Sequence, residues 1–226
     1  GFIASSNCGG SFGLALKKAG YDALIITGKA AGPIWIELNE DQVLFHDAEV
    51  LWGKTTEETQ EALGKNGGKI VIGPAGENLV KYAGIFSDER AAGRAGVGAV
   101  MGFKNLKAIV AKGNKRVEAK HPEDAKKAFK KWIKLLKSNP LTGEQLPKLG
   151  TAGLVSSMNA HNILATRNYK YGRFNDFEKV SGEYMAENHL VKNKGCMTCP
   201  IQCGRVVRIQ GREVKGPELE TIGLLG

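Results

Sequence analysis

Three cysteines stand within eight positions in the run Cys196-Met-Thr-Cys199-Pro-Ile-Gln-Cys203, a C-x2-C-x3-C pattern. Two residues between thiols let a tight turn aim both sulfurs at one site, and the third thiol arrives one turn later. Thiolates at such spacing suit an iron–sulfur cluster or a structural zinc. Zinc sites more often show two separated C-x2-C pairs, or a pair followed by histidines. Here the nearest histidine, His189, lies upstream, so iron–sulfur is the favoured reading. A cluster normally takes four cysteines, and the fourth is either Cys8 or lies beyond residue 226. A disulfide framework would spread its pairs along the chain. The bunching points instead to metal in a reducing compartment, the cytoplasm by default.

A second constellation is Arg90-Ala-Ala-Gly93-Arg94-Ala-Gly96-Val-Gly98-Ala-Val-Met-Gly102. Small residues let backbone N–H groups approach an anion, and two arginines offer planar, bidentate donors for phosphate. No Gly-Lys-Ser/Thr follows, so this is not a P-loop, and no strand leads into a G-x-G-x-x-G fingerprint. On its own the run reads equally well as tight turns with surface arginines. Ser5-Ser6-Asn7-Cys8-Gly9-Gly10-Ser11-Phe12-Gly13, just before a predicted helix, is a further candidate for an anion- or cofactor-binding loop.

The elements that must position these residues change character along the chain. Asp22–Gly28, Pro33–Leu38, Gln42–Asp47, Lys69–Gly73 and Leu106–Lys112 read as strands, the second and third forming a hairpin. Helices are predicted over Ser11–Ala19, stopped by Gly20, and over Thr55–Leu63, where Thr55 and Glu58 make a capping box. After about Val117 the pattern turns helical. Pro122 with Glu123 and Asp124 opens a helix in which Ala125, Ala128, Phe129, Trp132, Ile133 and Leu136 form one apolar stripe, and Ser138-Asn139-Pro140 ends it. Thr151–Ala160 and Ser181–Leu190 are weaker helix candidates. The expectation is an α+β protein with a β-rich domain over 1–118 and a helical domain over 119–226. The missing Met and the apolar, tail-less Glu220–Gly226 end predict a chain that continues at both ends.

Composition is ordinarily globular, with 42% hydrophobic and 24% charged residues. No apolar run is long enough for a membrane span, and the first residues, GFIASSNCGGSFG, do not read as a secretory signal. The net charge of +9 raises nucleic acid as a partner. Its densest cluster, Lys126, Lys127, Lys130, Lys131, Lys134 and Lys137, is more simply the solvated face of the Pro122 helix. The same charge is compatible with an acidic protein partner.

Taken in order, SNCGGSFG, LKKAGYDALIITGKA, LWGKTTEET, IGPAGENLVKYA, RAAGRAGVGAVMGFKNLKAIVAKG, RNYKYG, CMTCPIQCGR and GPELETIGLLG resemble the aldehyde ferredoxin oxidoreductases, over nearly the whole chain. The resemblance implies the later part of an N-terminal β-rich domain cradling a tungsten (occasionally molybdenum) bis-pterin, followed by the start of an all-helical domain. It implies that Asn7, Gly9, Arg90, Ala91, Gly93 and Arg94 hold the pterin, and that Cys196, Cys199 and Cys203 bind a [4Fe–4S] cluster whose fourth cysteine lies outside this sequence. It makes Glu220 the proton-transfer carboxylate. Without the resemblance, Glu218 and Glu220 would be ordinary acids at a helix start. On a helix the two side chains would diverge by about 200°. Family members usually carry a small residue such as Ser where this chain has Cys8, a small-for-small exchange.

The function implied is oxidation of aldehydes to carboxylic acids with water as oxygen source, electrons passing through the cluster to ferredoxin. A cytoplasmic enzyme with no membrane or nucleic-acid partner, compatible with a homo-oligomer, is expected. One alternative is a non-catalytic iron–sulfur electron-transfer subunit that keeps the cluster without the pterin. Arg90, Gly93 and Arg94 argue against it. A zinc-stapled nucleic-acid binder would mingle basic and aromatic residues on one face, which only the lysine helix approaches. A related branch of the family reduces aromatic thioesters.

Overall fold

The structure, a computed structural model, describes residues 3–197 and 199–225. Its chain divides into two compact units, Gly1–Glu118 and Ala119–Gly226. Thr198, inside the C-x2-C turn, and Gly226 lie outside the described residues.

The first unit is organised on a six-stranded sheet in the order β2-β1-β6-β3-β4-β5. Strands β1 (Ile34–Leu38) and β2 (Val43–Asp47) form the expected antiparallel hairpin, with Asn39 Oδ1 accepting from the Gln42 N–H at 3.0 Å. β3 (Gly68–Val71) lies near the expected position. β4 (Ile85–Ser87) and β5 (Arg90–Ala92) form a second hairpin that the sequence reading did not include. β6 (Leu106–Ala111) pairs parallel to β1 and antiparallel to β3, and every residue in it is buried. That is why its apolar run shows no alternation.

Asp22–Gly28 forms no ladder. Its side chains alternate as a strand's would, with Leu24 and Ile26 packed on the core and Ile25 87% exposed. Period-two burial is present there without a neighbouring strand to share hydrogen bonds.

Helices α1 (Phe12–Lys18), α2 (Thr56–Ala62), α3 (Pro74–Glu77) and α4 (Val97–Phe103) surround the sheet. The capping box of α2 is present: Thr55 Oγ1 accepts from the Glu58 N–H at 3.3 Å, and Glu58 Oε2 accepts from the Thr55 N–H at 2.8 Å. These bonds to the ionised form hold the Glu58 carboxyl below its usual range. A buried charge ties the unit together. Lys107 on β6 is fully buried, with its ammonium paired to Glu77 of α3 and donating to the Lys54 carbonyl at 2.8 Å. The other Glu77 oxygen accepts from the Gly53 N–H at 2.8 Å. Burial without these partners would be prohibitive.

In the second unit, α5 (Pro122–Ser138) runs its predicted length, and none of its residues is buried. A π-helical turn (Leu141–Gln145) leads into α6 (Leu146–Leu149). A 3-10 turn (Thr151–Leu154) leads into α7 (Val155–Ala160), and α8 (Gly182–Asn188) opens on Ser181, whose side chain accepts from the Tyr184 N–H. The α+β class holds, but the helices of this unit also carry a three-stranded antiparallel sheet: β7 (Leu190–Lys194), β8 (Gly204–Ile209) and β9 (Arg212–Lys215). Sequence reading had extended α8 to Leu190 and read no sheet beyond it. The strands are short and rich in Lys and Arg, with little apolar alternation to betray them. α9 (Leu219–Leu225) follows. Ala152, Val155, Leu164, Met185, Val207 and Ile222 make the core.

Candidate functional site

In the first unit two distant segments meet. Ser6 Oγ accepts a hydrogen bond from the Arg94 N–H at 3.0 Å, across 88 positions of sequence. A Cβ built on Gly9 would lie 3.1 Å from Cγ of Arg90. One on Gly10, whose φ is +88°, would lie 2.5 Å from the Ser87 carbonyl oxygen. The Ser6–Gly10 loop therefore lies directly on the β4–β5 hairpin, at a distance and with a backbone turn that glycine alone accommodates. Asn7, Gly9, Ala91, Gly93 and Arg94 are exposed and Arg90 is half-buried. A Cβ at Gly93 would meet nothing within 4 Å. The result is an open surface of small residues with Arg90 and Arg94 alongside, which suits a phosphate-bearing group.

The details correct two expectations. The start of α1 is not a vacant anion site. Its first N–H groups are already taken, Ser11 donating to Asp88 Oδ2 at 2.7 Å and Phe12 to Ser87 Oγ at 3.4 Å. Asp88 itself sits at φ 52° in the two-residue turn between β4 and β5, fixed by Gln60, whose Oε1 accepts from the Asp88 N–H at 2.7 Å. In addition, Gly98 and Gly102 do not face an anion. A Cβ built on either would collide with the carbonyl of Gly84 or Gly76, so these glycines let α4 lie against α3 and the residue before β4. Sequence reading missed Ser87 and Asp88, because three-residue strands give no periodic signal.

Cys8 belongs to the same loop. Partial burial pushes its thiol pKa up, while backbone hydrogen bonds from Ser87 and Ala92 pull the other way. The residue itself is exposed.

The three clustered cysteines occupy the loop of a β-hairpin. Lys194 on β7 pairs with Gly204 on β8, so residues 195–203 form the connection that carries them. The Cys199 N–H donates to the Cys196 carbonyl at 3.0 Å, closing the C-x2-C turn. Cys196 is exposed, Cys199 and Cys203 are half-buried, and none is in a disulfide. Among the described residues, no three His, Cys, Asp or Glu side chains are gathered into a metal-holding group. What fits a cluster is the donor chemistry and an orphaned atom beside it. Arg205 follows the loop, is 3% exposed, and its Nε is buried with no acceptor. Burial pulls the Arg205 pKa down, and the Cys203 thiol acts in the opposite sense. Nothing in the sequence marks this arginine as buried.

Glu220 lies in the first turn of α9, is exposed, and borders a cleft of ≈ 390 Å³ with Lys215, Glu218 and Thr221. Glu218 precedes the first helical residue, and both acids line the same cleft. Glu218 Oε1 is 3.5 Å from the Lys215 ammonium.

Residues 1–113 match the family description "Aldehyde ferredoxin oxidoreductase, N-terminal domain", and residues 127–226 match "Aldehyde ferredoxin oxidoreductase, domains 2 & 3". The chain belongs to the aldehyde ferredoxin oxidoreductase family. It is 47% identical over 233 aligned positions to a tungsten-containing aldehyde ferredoxin oxidoreductase of Pyrococcus abyssi, covering all of this chain and 38% of that protein. It is 30% identical to the WOR-like subunit of an aliphatic sulfonate oxidoreductase of Pyrococcus furiosus, covering 95% of this chain and 37% of that one. Among solved structures it resembles the active-site complex BamBC of benzoyl-coenzyme A reductase with bound 1,5-dienoyl-CoA. That match has a TM-score of 0.75 and 29% identity, over 92% of this chain and 34% of the other. The chain thus spans a little over a third of the length of the relatives it matches. No helix among the described residues is long and apolar enough to cross a membrane.

Proposed function

We propose that this aldehyde ferredoxin oxidoreductase family member oxidises aldehydes to carboxylic acids and delivers the electrons to ferredoxin. The observation that carries the proposal is the meeting of the Ser6–Gly10 loop with the Arg90–Arg94 segment, the two stretches that the family resemblance marks for pterin binding. Arg90 and Arg94 bind the pterin phosphates with paired N–H donors, and the exposed backbone of Gly9 and Gly93 admits the cofactor's edge. Cys196, Cys199 and Cys203 hold a [4Fe–4S] cluster as thiolates. When bound, the tungsten (or molybdenum) pterin supplies Lewis-acid polarisation of the aldehyde oxygen and the capacity to accept two electrons. Oxidation of an aldehyde with water to the carboxylic acid releases two electrons and two protons, and Glu220 would accept one of those protons. The 47% identity to an aldehyde-named enzyme, against 29% to a benzoyl-coenzyme A reductase complex, favours aldehydes over aromatic thioesters.

Arg94→Ala tests the cofactor assignment. A hydrogen bond to a charged group is worth about 1.5–3 kcal/mol, so pterin retention is expected to weaken by roughly 10- to 100-fold, with iron content unchanged. The check is pterin and iron analysis of the full-length protein beside aldehyde-dependent ferredoxin reduction. Full pterin loading in the Arg94→Ala protein would contradict the assignment. A wild-type protein that holds iron but no pterin would favour an electron-transfer subunit.

A further inference from the structure

We propose that Arg205 is the positioning residue of the cysteine loop, clamping its base through both Nη groups while its Nε–H serves the anionic sulfur of the cluster. The inference rests on the cluster reading above and goes beyond it to a residue outside the ligand set.

The clamp is visible in the hydrogen bonds. Nη1 donates to Asn193 Oδ1 at 2.9 Å, to the Gly204 carbonyl at 3.1 Å and to the Gln202 carbonyl at 3.3 Å. Nη2 donates to the carbonyls of Leu146 at 2.7 Å and Pro147 at 3.0 Å. Asn193 is the partner of Arg205 in the β7–β8 register, and its Nδ2 donates to the same Pro147 carbonyl at 2.8 Å. One side chain thus ties the end of the cysteine loop, the strand before it and the start of α6. Three of its five acceptors, in Gln202, Gly204 and Asn193, lie within three residues of the loop's end or start.

Among the described residues the group that answers the charge is the Cys203 thiol, on the loop itself. All five acceptors are neutral, and no carboxylate pairs with Arg205 among the described residues. A buried cation without a counter-charge is costly, and so is a buried N–H without an acceptor. Both deficits are met at once by an anion on the loop side. The Nε lies there. A Cβ built on Gly150 would stand 3.3 Å from Nε and 2.8 Å from the Cys203 carbonyl oxygen, and Gly150 has a φ of +67°. Glycine at 150 keeps a side chain out of the space that Nε and Cys203 share. An iron–sulfur cluster bound by thiolates is an anion of the right chemistry, and hydrogen bonds to its sulfurs together with local charge set its potential.

The test uses the full-length protein purified without oxygen, as wild type, Arg205→Lys and Arg205→Met. A cation and a donor near sulfur favour the more negative, reduced cluster, so their removal lowers the midpoint potential. In redox titrations followed by electron paramagnetic resonance, the expected order is wild type highest, Arg205→Lys lower and Arg205→Met lowest. Loss of outer-shell support typically costs about 10- to 100-fold in metal affinity, and iron release to a chelator should accelerate by that much in Arg205→Met. A merely structural arginine would alter stability and leave the potential of any cluster that forms unmoved. Unchanged potentials in variants with full iron overturn the proposal. If Arg205→Met takes up no iron, Arg205→Lys decides alone: a lowered potential supports the proposal and an unchanged one overturns it. A wild-type protein without iron would overturn the cluster reading, and this inference with it.

Discussion

Replacing Cys199 by Ala is expected to reduce the iron of the anaerobically prepared protein from about four atoms per chain to background and to abolish the cluster's paramagnetic signal. Cys199 is the middle thiol of the hairpin loop, half-buried, with its N–H bonded to the Cys196 carbonyl in the turn that brackets two of the three sulfurs. Alanine keeps that backbone bond and removes only the ligand. The β7–β8 ladder and the Arg205 clamp do not involve the Cys199 side chain, so the far-ultraviolet circular dichroism should stay close to that of the wild type. Cys8→Ser provides the contrast. Cys8 is hydrogen-bonded by the backbone of Ser87 and Ala92 in the first unit, and a hydroxyl of similar size should leave the iron content unchanged. Full iron in Cys199→Ala would remove this residue from the ligand set.

The second large effect is expected at Glu220. A positioned acid or base contributes about 10² to 10⁴ in rate, so Glu220→Gln should lower kcat for aldehyde oxidation by that factor while iron and pterin contents hold. Glu218→Gln should be milder, because Glu218 is engaged by Lys215 at 3.5 Å and so has a structural duty at the entry to α9. Both acids border one cleft, and the two substitutions change shape and charge by nearly the same amount. Near-normal turnover in Glu220→Gln with both cofactors loaded would reject the assignment. Equal losses in the two variants would point to the charge of the cleft rather than to one proton carrier.

What could be read from the sequence depended on whether a residue's duty left a local signature. The Thr55–Glu58 capping box, the β1–β2 hairpin and the long α5 were legible because each is specified by residues a few positions apart. The apolar run of β6 was legible as a strand, but not the fully buried Lys107 within it, whose partners Glu77 and Lys54 lie 30 and 53 positions away. The β4–β5 hairpin escaped because three residues cannot show a period. The consequence was a glycine-rich run read as one feature when it is two: Arg90–Ala92 is a strand, and Gly98 and Gly102 are packing contacts of α4.

The candidate sites divide in the same way. The cysteine proposal rests on thiol spacing, which needs no long-range information. Asn7, Gly9, Arg90, Ala91, Gly93 and Arg94 came from family resemblance, and the Ser6–Arg94 contact that unites their two segments spans 88 positions. Asp88 and Arg205 had no signature. An aspartate in a turn and an arginine after a cysteine are common residue choices, and only the fold reveals that one caps a distant helix and the other is buried with its Nε lacking an acceptor.

The most direct test of the account is metal and pterin analysis of the full-length protein purified in the absence of oxygen. The expected result is about four irons per chain, as a [4Fe–4S] cluster requires, together with tungsten or molybdenum and extractable pterin. Stoichiometric zinc with no iron and no pterin would contradict it.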